Sequence, residues 1–151
     1  MKRTLLQIAA CATVFFGHTA MAADEAGTVK VSRGSVALER AGQRMDVPVG
    51  TRIFASDRIV TGADGSVGIT LRDNTLLSAG PNSTVDLNKF AFDSTTHAGT
   101  IDASVKRGTL SVVSGKIAKA TPDAVNFSAP GMTLGVRGTS FIIDADRKSV
   151  V

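Results

Sequence analysis

"GADGSVGITLRDNTLLSAGPNS", residues 62–83, contains three clusters of turn chemistry: "GADGS" at 62–66, "RDNT" at 72–75 and "AGPNS" at 79–83. Between the first two, Val67, Ile69 and Leu71 stand two apart, with Gly68 and Thr70 in the gaps. A period of two sends alternate side chains to opposite faces of an extended chain, whereas a helix would bring apolar residues together every three or four positions. The stretch therefore reads as a half-buried β-strand closed at both ends by turns. The same alternation recurs at Val29 and Val31, at Val125 and Phe127, and at Met132, Leu134 and Val136, with "APG" at 129–131 as a further turn. Strands spaced roughly 8–12 residues apart with such punctuation predict an all-β sandwich, barrel or solenoid.

Two segments depart from the pattern. Polar and small residues cluster in "FAFDSTTHAGT" at 90–100, which predicts a longer loop, and "SGKIAKATPDA" at 114–124 predicts either a helical turn or a second loop. A basic residue, a glycine and a hydroxyl occur together three times, as Arg33-Gly34-Ser35, Arg107-Gly108-Thr109 and Arg137-Gly138-Thr139, at unequal spacing. A glycine inside a strand pattern marks a bend or a close backbone approach, so the triplets are expected to be architectural corners. Arg137 is expected to pair with a carboxylate inside the domain, or else on a partner.

The amino terminus has the form of an export signal. Lys2 and Arg3 precede an apolar run from Leu5 to Phe16, and Ala20-Met21-Ala22 offers a small-x-small cleavage site, so residues 1–22 are expected to be removed after Ala22. The run is shorter than the ~20 residues that span a bilayer, and no later segment is long enough to cross one. Cys11, in a loosely lipoprotein-like "IAAC", is expected to leave with the leader, so no disulfide or thiol nucleophile remains. The loss of Lys2 and Arg3 from 17 basic residues, against 13 acidic ones, brings the formal charge to +2.

Beyond this point the order of motifs becomes specific. The string "VGTRIFASDRIVTGADGSVGITLRDNTLLSAGPNSTVDL" at 49–87, then "VKRGTLSVVSGK" at 105–116 and "FSAPGMTLGVRGTSFII" at 127–143, resembles the FecR domain family of bacterial periplasmic proteins. The matching positions are Gly50, Asp57, Ile59, Thr61, Gly62, Asp73, Gly108, Pro130, Val136, Arg137, Gly138, Thr139 and Phe141. The resemblance implies an all-β, twisted β-solenoid-like module, here over residues 28–144 with a tail at 145–151; the strand pattern by itself leaves a β-sandwich open. One departure is Asp73-Asn74-Thr75 in place of the family's Asp-Gly-Ser, a mild change because asparagine tolerates positive φ. The family's larger members carry an anti-sigma segment, a membrane helix and a receptor-contacting domain, for which this chain has no room. Direct control of a sigma factor is therefore not carried over.

Several chemistries are disfavoured by the residues themselves. "VSGKI" at 113–117 lacks the P-loop spacing, because Gly108 lies seven residues before Gly115 and Ile117 follows Lys116. His97 is the single histidine left after the leader, too few for zinc and without a triad's distant partners. Asp57, Asp64 and Asp73 sit near turns, where aspartate is ordinary, and form no calcium-binding motif. Nucleic-acid binding is disfavoured by the lack of Trp and Tyr and by the nearly balanced charge.

The expectation is a non-catalytic, cofactor-free binding or regulatory module in the periplasm or secreted, meeting another periplasmic or envelope protein. Arg137, Thr139, Phe141 and Arg107 are the candidate contact residues, and Ser140 to Ile143 is the candidate edge strand for β-addition. The oligomeric state is left open. The alternatives are a peptidoglycan-associated envelope protein and a small-ligand carrier or enzyme using the His97 loop.

Overall fold

The computed structural model describes residues 24–137, 140–146 and 149–151; the predicted leader and its cleavage site lie outside the described residues. The fold is all-β, with strands β1 (Glu25–Arg33), β2 (Val36–Arg40), β3 (Gln43–Asp46), β4 (Arg52–Phe54), β5 (Arg58–Thr61), β6 (Ser66–Leu71), β7 (Leu76–Ala79), β8 (Thr84–Phe92), β9 (Gly99–Arg107) and β10 (Thr109–Val113). A short helix α1 (Lys116–Ala120) and a 3-10 turn (Pro122–Ala124) lead to β11 (Val125–Ala129), β12 (Met132–Gly135), β13 (Ser140–Asp144) and β14 (Ser149–Val150). They form two seven-stranded sheets: sheet I in the order β14-β13-β10-β7-β6-β1-β4, and sheet II in the order β12-β11-β9-β8-β5-β2-β3. The β9–β11 pair is parallel and all other neighbours are antiparallel.

Alternation along each strand supplies one shared core. Val67, Ile69, Leu71, Leu110, Val112 and Ile143 enter it from sheet I, and Leu38, Ile59, Leu87, Ile101, Val105 and Phe127 from sheet II. Full burial of each such side chain is worth about 1.5–3 kcal/mol. Segment 114–124 takes its helical option because Asp73, itself buried, holds the start of α1. Lys116 N–H donates to the Asp73 carbonyl at 2.8 Å and Ile117 N–H to its carboxylate at 3.2 Å. Asn74 beside it, this chain's departure from the family's glycine, adopts φ +68°.

Two expectations are corrected. The loop expected at 90–100 is only residues 93–98, because Phe90, Ala91 and Phe92 extend β8 by pairing with Ile101, Thr100 and Gly99 of β9. The polar composition concealed a hairpin whose partner residues lie across the turn. Nor is β13 a sheet edge: β14 returns beside it, with Ile143 opposite Val150, and Ile142 and Val151 exchange backbone hydrogen bonds at 2.8 and 3.0 Å. The described sheets end instead at β14 and β4, and at β12 and β3.

The triplets Arg33-Gly34-Ser35 and Arg107-Gly108-Thr109 fall where the chain passes between sheets, β1 to β2 and β9 to β10; Gly138 and Thr139 of the third lie outside the described residues. Gly34 and Gly108 make the turn at φ +62° and +78°, and a Cβ there would strike the Asp64 carbonyl or Ser83 respectively. Successive crossings are hydrogen-bonded in a row along one end of the sheets. Gly62 N–H donates to the Ser35 carbonyl (2.8 Å) and Asn82 N–H to the Gly62 carbonyl (3.0 Å). Thr109 N–H donates to the Ser83 hydroxyl (3.0 Å), and Ala145 N–H to the Gly108 carbonyl (2.9 Å).

Candidate interaction face

The residues expected to contact a partner are not brought together into one site. Arg107 ends β9, exposed, just before the Gly108 corner into β10. Arg137 follows β12 and lies 3.6 Å from Asp123, with 85% and 90% of the two side chains exposed. The expected internal partner is therefore present, but so solvated a pair contributes little, ~0–1 kcal/mol. Phe141 is half-buried and meets Phe127 edge-on at 5.4 Å, which gives it a packing role. Thr139, with Gly138, lies outside the described residues.

The His97 loop is a braced turn. The Asp93 carboxylate accepts N–H bonds from Thr95 (2.8 Å) and Thr96 (3.1 Å), which hold its pKa below the ordinary aspartate value. His97 occupies φ +61°, its N–H donates to the Asp93 carbonyl at 2.8 Å, and its ring stacks on Phe92 at 6.3 Å. Asp57 and Asp64 are also committed to turns. Asp57, buried, accepts Arg40 Nε and Nη2 at 2.7 and 2.6 Å and the Phe54 N–H at 2.8 Å, and in return its carboxylate raises the Arg40 pKa. Asp64 accepts the Ser35 N–H at 3.2 Å. No group of three or more His, Cys, Asp or Glu among the described residues is arranged to hold a metal ion.

The chemical asymmetry of the molecule lies in its two outer sheet surfaces. On sheet II, Arg58 binds Asp86 with two hydrogen bonds (2.6 and 2.9 Å) and approaches Glu39, which also meets Arg44 at 3.5 Å. Further along, Asn88 donates to Asp102 and Ser104, both at 2.8 Å, and Ser104 meets Ser128 at 2.8 Å. These polar groups satisfy one another across neighbouring strands.

Sheet I shows the opposite character. Register places Val31, Gly68, Ser78, Ser111 and Ile142 side by side in one outward row. Two residues along the strands lies a second row of Thr28, Thr70, Leu76, Val113 and Ser140. A bulge between Val29 and Val31 in β1 turns Val31 outward. Neither row holds a charged side chain between β1 and β13, yet Val31, Leu76, Val113 and Ile142 are 43%, 43%, 41% and 47% exposed. Lys30, in the same bulge as Val31, and Arg52, beside Thr28, put charge only at the β1 and β4 side of this surface. Single exposed aliphatics are ordinary; four on one sheet surface whose β6, β7 and β10 strands carry no charge mark a candidate interaction surface.

Comparison with known proteins agrees with the corner and turn geometry: the family described as FecR protein matches residues 57–151, from the buried Asp57 through the last strand. The chain belongs to the FecR family. Among curated proteins and among solved structures, none matches it. Within the FecR segment, Thr61, Gly62, Asp73 and Gly108 are turn and corner residues: the Thr61 hydroxyl, for example, donates to the Gly80 carbonyl at 2.6 Å and accepts the Ser83 N–H at 2.9 Å. The strands before Asp57 belong to the same two sheets, since β1 pairs with β6 and β2 with β5.

The sheet I surface was missed by sequence reasoning, which concentrated on charged triplets. Its only local signal is that serine, threonine and glycine, rather than lysine or glutamate, occupy the polar phase of β6, β7 and β10.

Proposed function

We propose that this FecR-family chain is an exported, non-catalytic protein-binding module of the bacterial periplasm, serving signalling or regulation, and that it meets its partner through the outer surface of sheet I. The observation that carries this reading is the contrast between the two outer surfaces: one pairs its charges across neighbouring strands, the other leaves four aliphatic side chains in water, with Lys30 beside Val31 at its β1 margin. Covering its β6, β7 and β10 part releases ordered water without desolvating a charge, while Lys30 at the β1 margin stays in solvent. Arg107 and Arg137 suit the rim, because Arg107 precedes β10 at the end where Thr109 opposes Asp144, and Arg137 precedes β13 at the end where Val113 opposes Ser140. Rim charges of this kind steer encounter and fix orientation more than they add affinity.

The test is site-specific photo-crosslinking in living cells, with the reactive group at Ile142 on sheet I and, as a control, at Ser128 on sheet II. Adducts from Ile142 that the control does not give support the reading. Equal capture from both positions, or none from Ile142, overturns it. Export is tested in the same cells by fractionation and by sequencing the amino terminus of the chain, with Ala23 expected as the first residue.

A further inference from the structure

We infer that the outer edge of β12 takes up an extended segment of another protein as an additional strand of sheet II, a second contact apart from the sheet I surface. An exposed strand edge invites pairing, and proteins close such edges with charge or by keeping them very short. Three of the four described sheet ends are closed in this way. β3 carries Arg44 and Asp46, β4 is three residues long with Arg52 at its start, and β14 has two residues. β12, Met132-Thr133-Leu134-Gly135, has neither charge nor proline, and Thr133 and Gly135 are exposed.

Register identifies the backbone groups on offer. Val136 N–H donates to the Val125 carbonyl at 3.3 Å, so Leu134 and Met132, opposite Phe127 and Ala129, are the residues that bond to β11. The N–H and C=O of Thr133 and Gly135 therefore point away from the sheet, and neither residue has a backbone partner on that side among the described residues. Donors and acceptors repeated at every second residue are matched by another extended chain, not by a small ligand.

Side chains supply the rest of the occupant's chemistry. Positions of the segment opposite Met132 and Leu134 point to the inner side of sheet II, where both are half-buried and Leu134 packs against the core, so aliphatic residues two apart belong there. The intervening position shares the outer side with Thr133 and Gly135. Gly135 leaves a hollow there, since nothing lies within 4 Å of where its Cβ would stand. Just beyond it Arg137 is 85% exposed and 3.6 Å from Asp123, which suits a carboxylate at that end of the segment. This last feature argues against a second copy of β12 as the occupant. In an antiparallel pairing of β12 with itself through Thr133 and Gly135, Arg137 falls opposite Ala129, Gly131 or Thr133, none of them acidic.

Selection of displayed random octapeptides on the purified chain, in the form the cell delivers, tests this. The expected sequences have aliphatic residues at alternate positions and an acidic residue at one end. On addition of such a peptide, amide exchange at Thr133 and Gly135 is expected to slow tenfold or more, while Leu134, already bonded to Phe127, changes little. Thr133→Pro deletes an outward N–H and no bond within the sheet, so it is expected to weaken binding tenfold or more at an unchanged thermal midpoint, whereas Thr133→Val binds as the parent does. If Thr133→Pro lowers the midpoint, Gly135→Pro removes the other outward N–H.

No enriched sequence, peptides that bind the proline variants as well as the parent, or protection without the alternation overturns the proposal. So does self-association of the chain that Thr133→Pro abolishes, which would make a second copy the occupant. A segment on β12 lies two strand spacings, ~10 Å, from Ser128, and Ile142 is on the other sheet, so the crosslinking test of the sheet I surface is decided independently of this one.

Discussion

Gly108 and Asp57 show how two turn residues hold a corner by different physics. At Gly108 the left-handed backbone and the nearness of Ser83 leave no room for a Cβ. Gly108→Ala is expected to cost about 1–3 kcal/mol, read as a lowered denaturation midpoint. At Asp57 the issue is charge: its buried carboxylate is matched by the Arg40 guanidinium and the Phe54 N–H. Asp57→Ala is expected to cost about 1–3 kcal/mol, because it strands the Phe54 backbone donor and a guanidinium that water only partly reaches. A smaller loss, close to that of an exposed pair, would show that water replaces the carboxylate. Asp93 gives a pH readout at the same scale. Its carboxyl pKa is lowered by the N–H groups of Thr95 and Thr96, so the turn's contribution is intact above the ordinary aspartate value and is lost as pH falls through the depressed one. The amide signals of Thr95 and Thr96 are expected to titrate together below the range of a free aspartate.

At the scale of elements, α1 is too short to stand alone and lacks a side-chain cap at its start. Asp73 compensates from a distant turn by accepting the Ile117 N–H, while the Thr75 hydroxyl accepts the Gly115 N–H at 3.0 Å. Asp73→Ala is expected to raise amide exchange at Ile117 and through α1 much more than in β8 or β9, measured residue by residue. The same scale explains which elements were legible in the sequence. Strands β6 and β11 announce themselves by alternation, whereas the continuation of β8 through Phe90 and Phe92 depends on partners in β9 that no local pattern names. The placement of β13 inside its sheet is decided by the return of β14, a two-residue strand too short for periodicity to reveal.

At the scale of the whole molecule, the chain alternates between sheets so often that neither sheet has a continuous sequence of its own. Unfolding is therefore expected to be a single cooperative transition by circular dichroism, a suitable probe for a chain without Trp or Tyr. Phe127→Ala in sheet II and Leu110→Ala in sheet I, about 3–5 and 2–5 kcal/mol respectively, are expected to shift that same transition. Two transitions that respond separately would show that the sheets unfold independently.

The sequence by itself determined the fold class, the positions of most turns, the corner role of the triplets at Gly34 and Gly108 and, through its motif order, the family. All of these are local, because alternation, positive φ and turn chemistry are properties of a few adjacent residues. Only the tertiary structure decided which strands are neighbours, and with that the aliphatic and hydroxyl-bearing surface of sheet I. One row of it joins Val31, Gly68, Ser78, Ser111 and Ile142, contributed by five strands. Register across a sheet is set by burial of the opposite face, so the outward residues come together as a consequence of core packing that no short window of sequence contains.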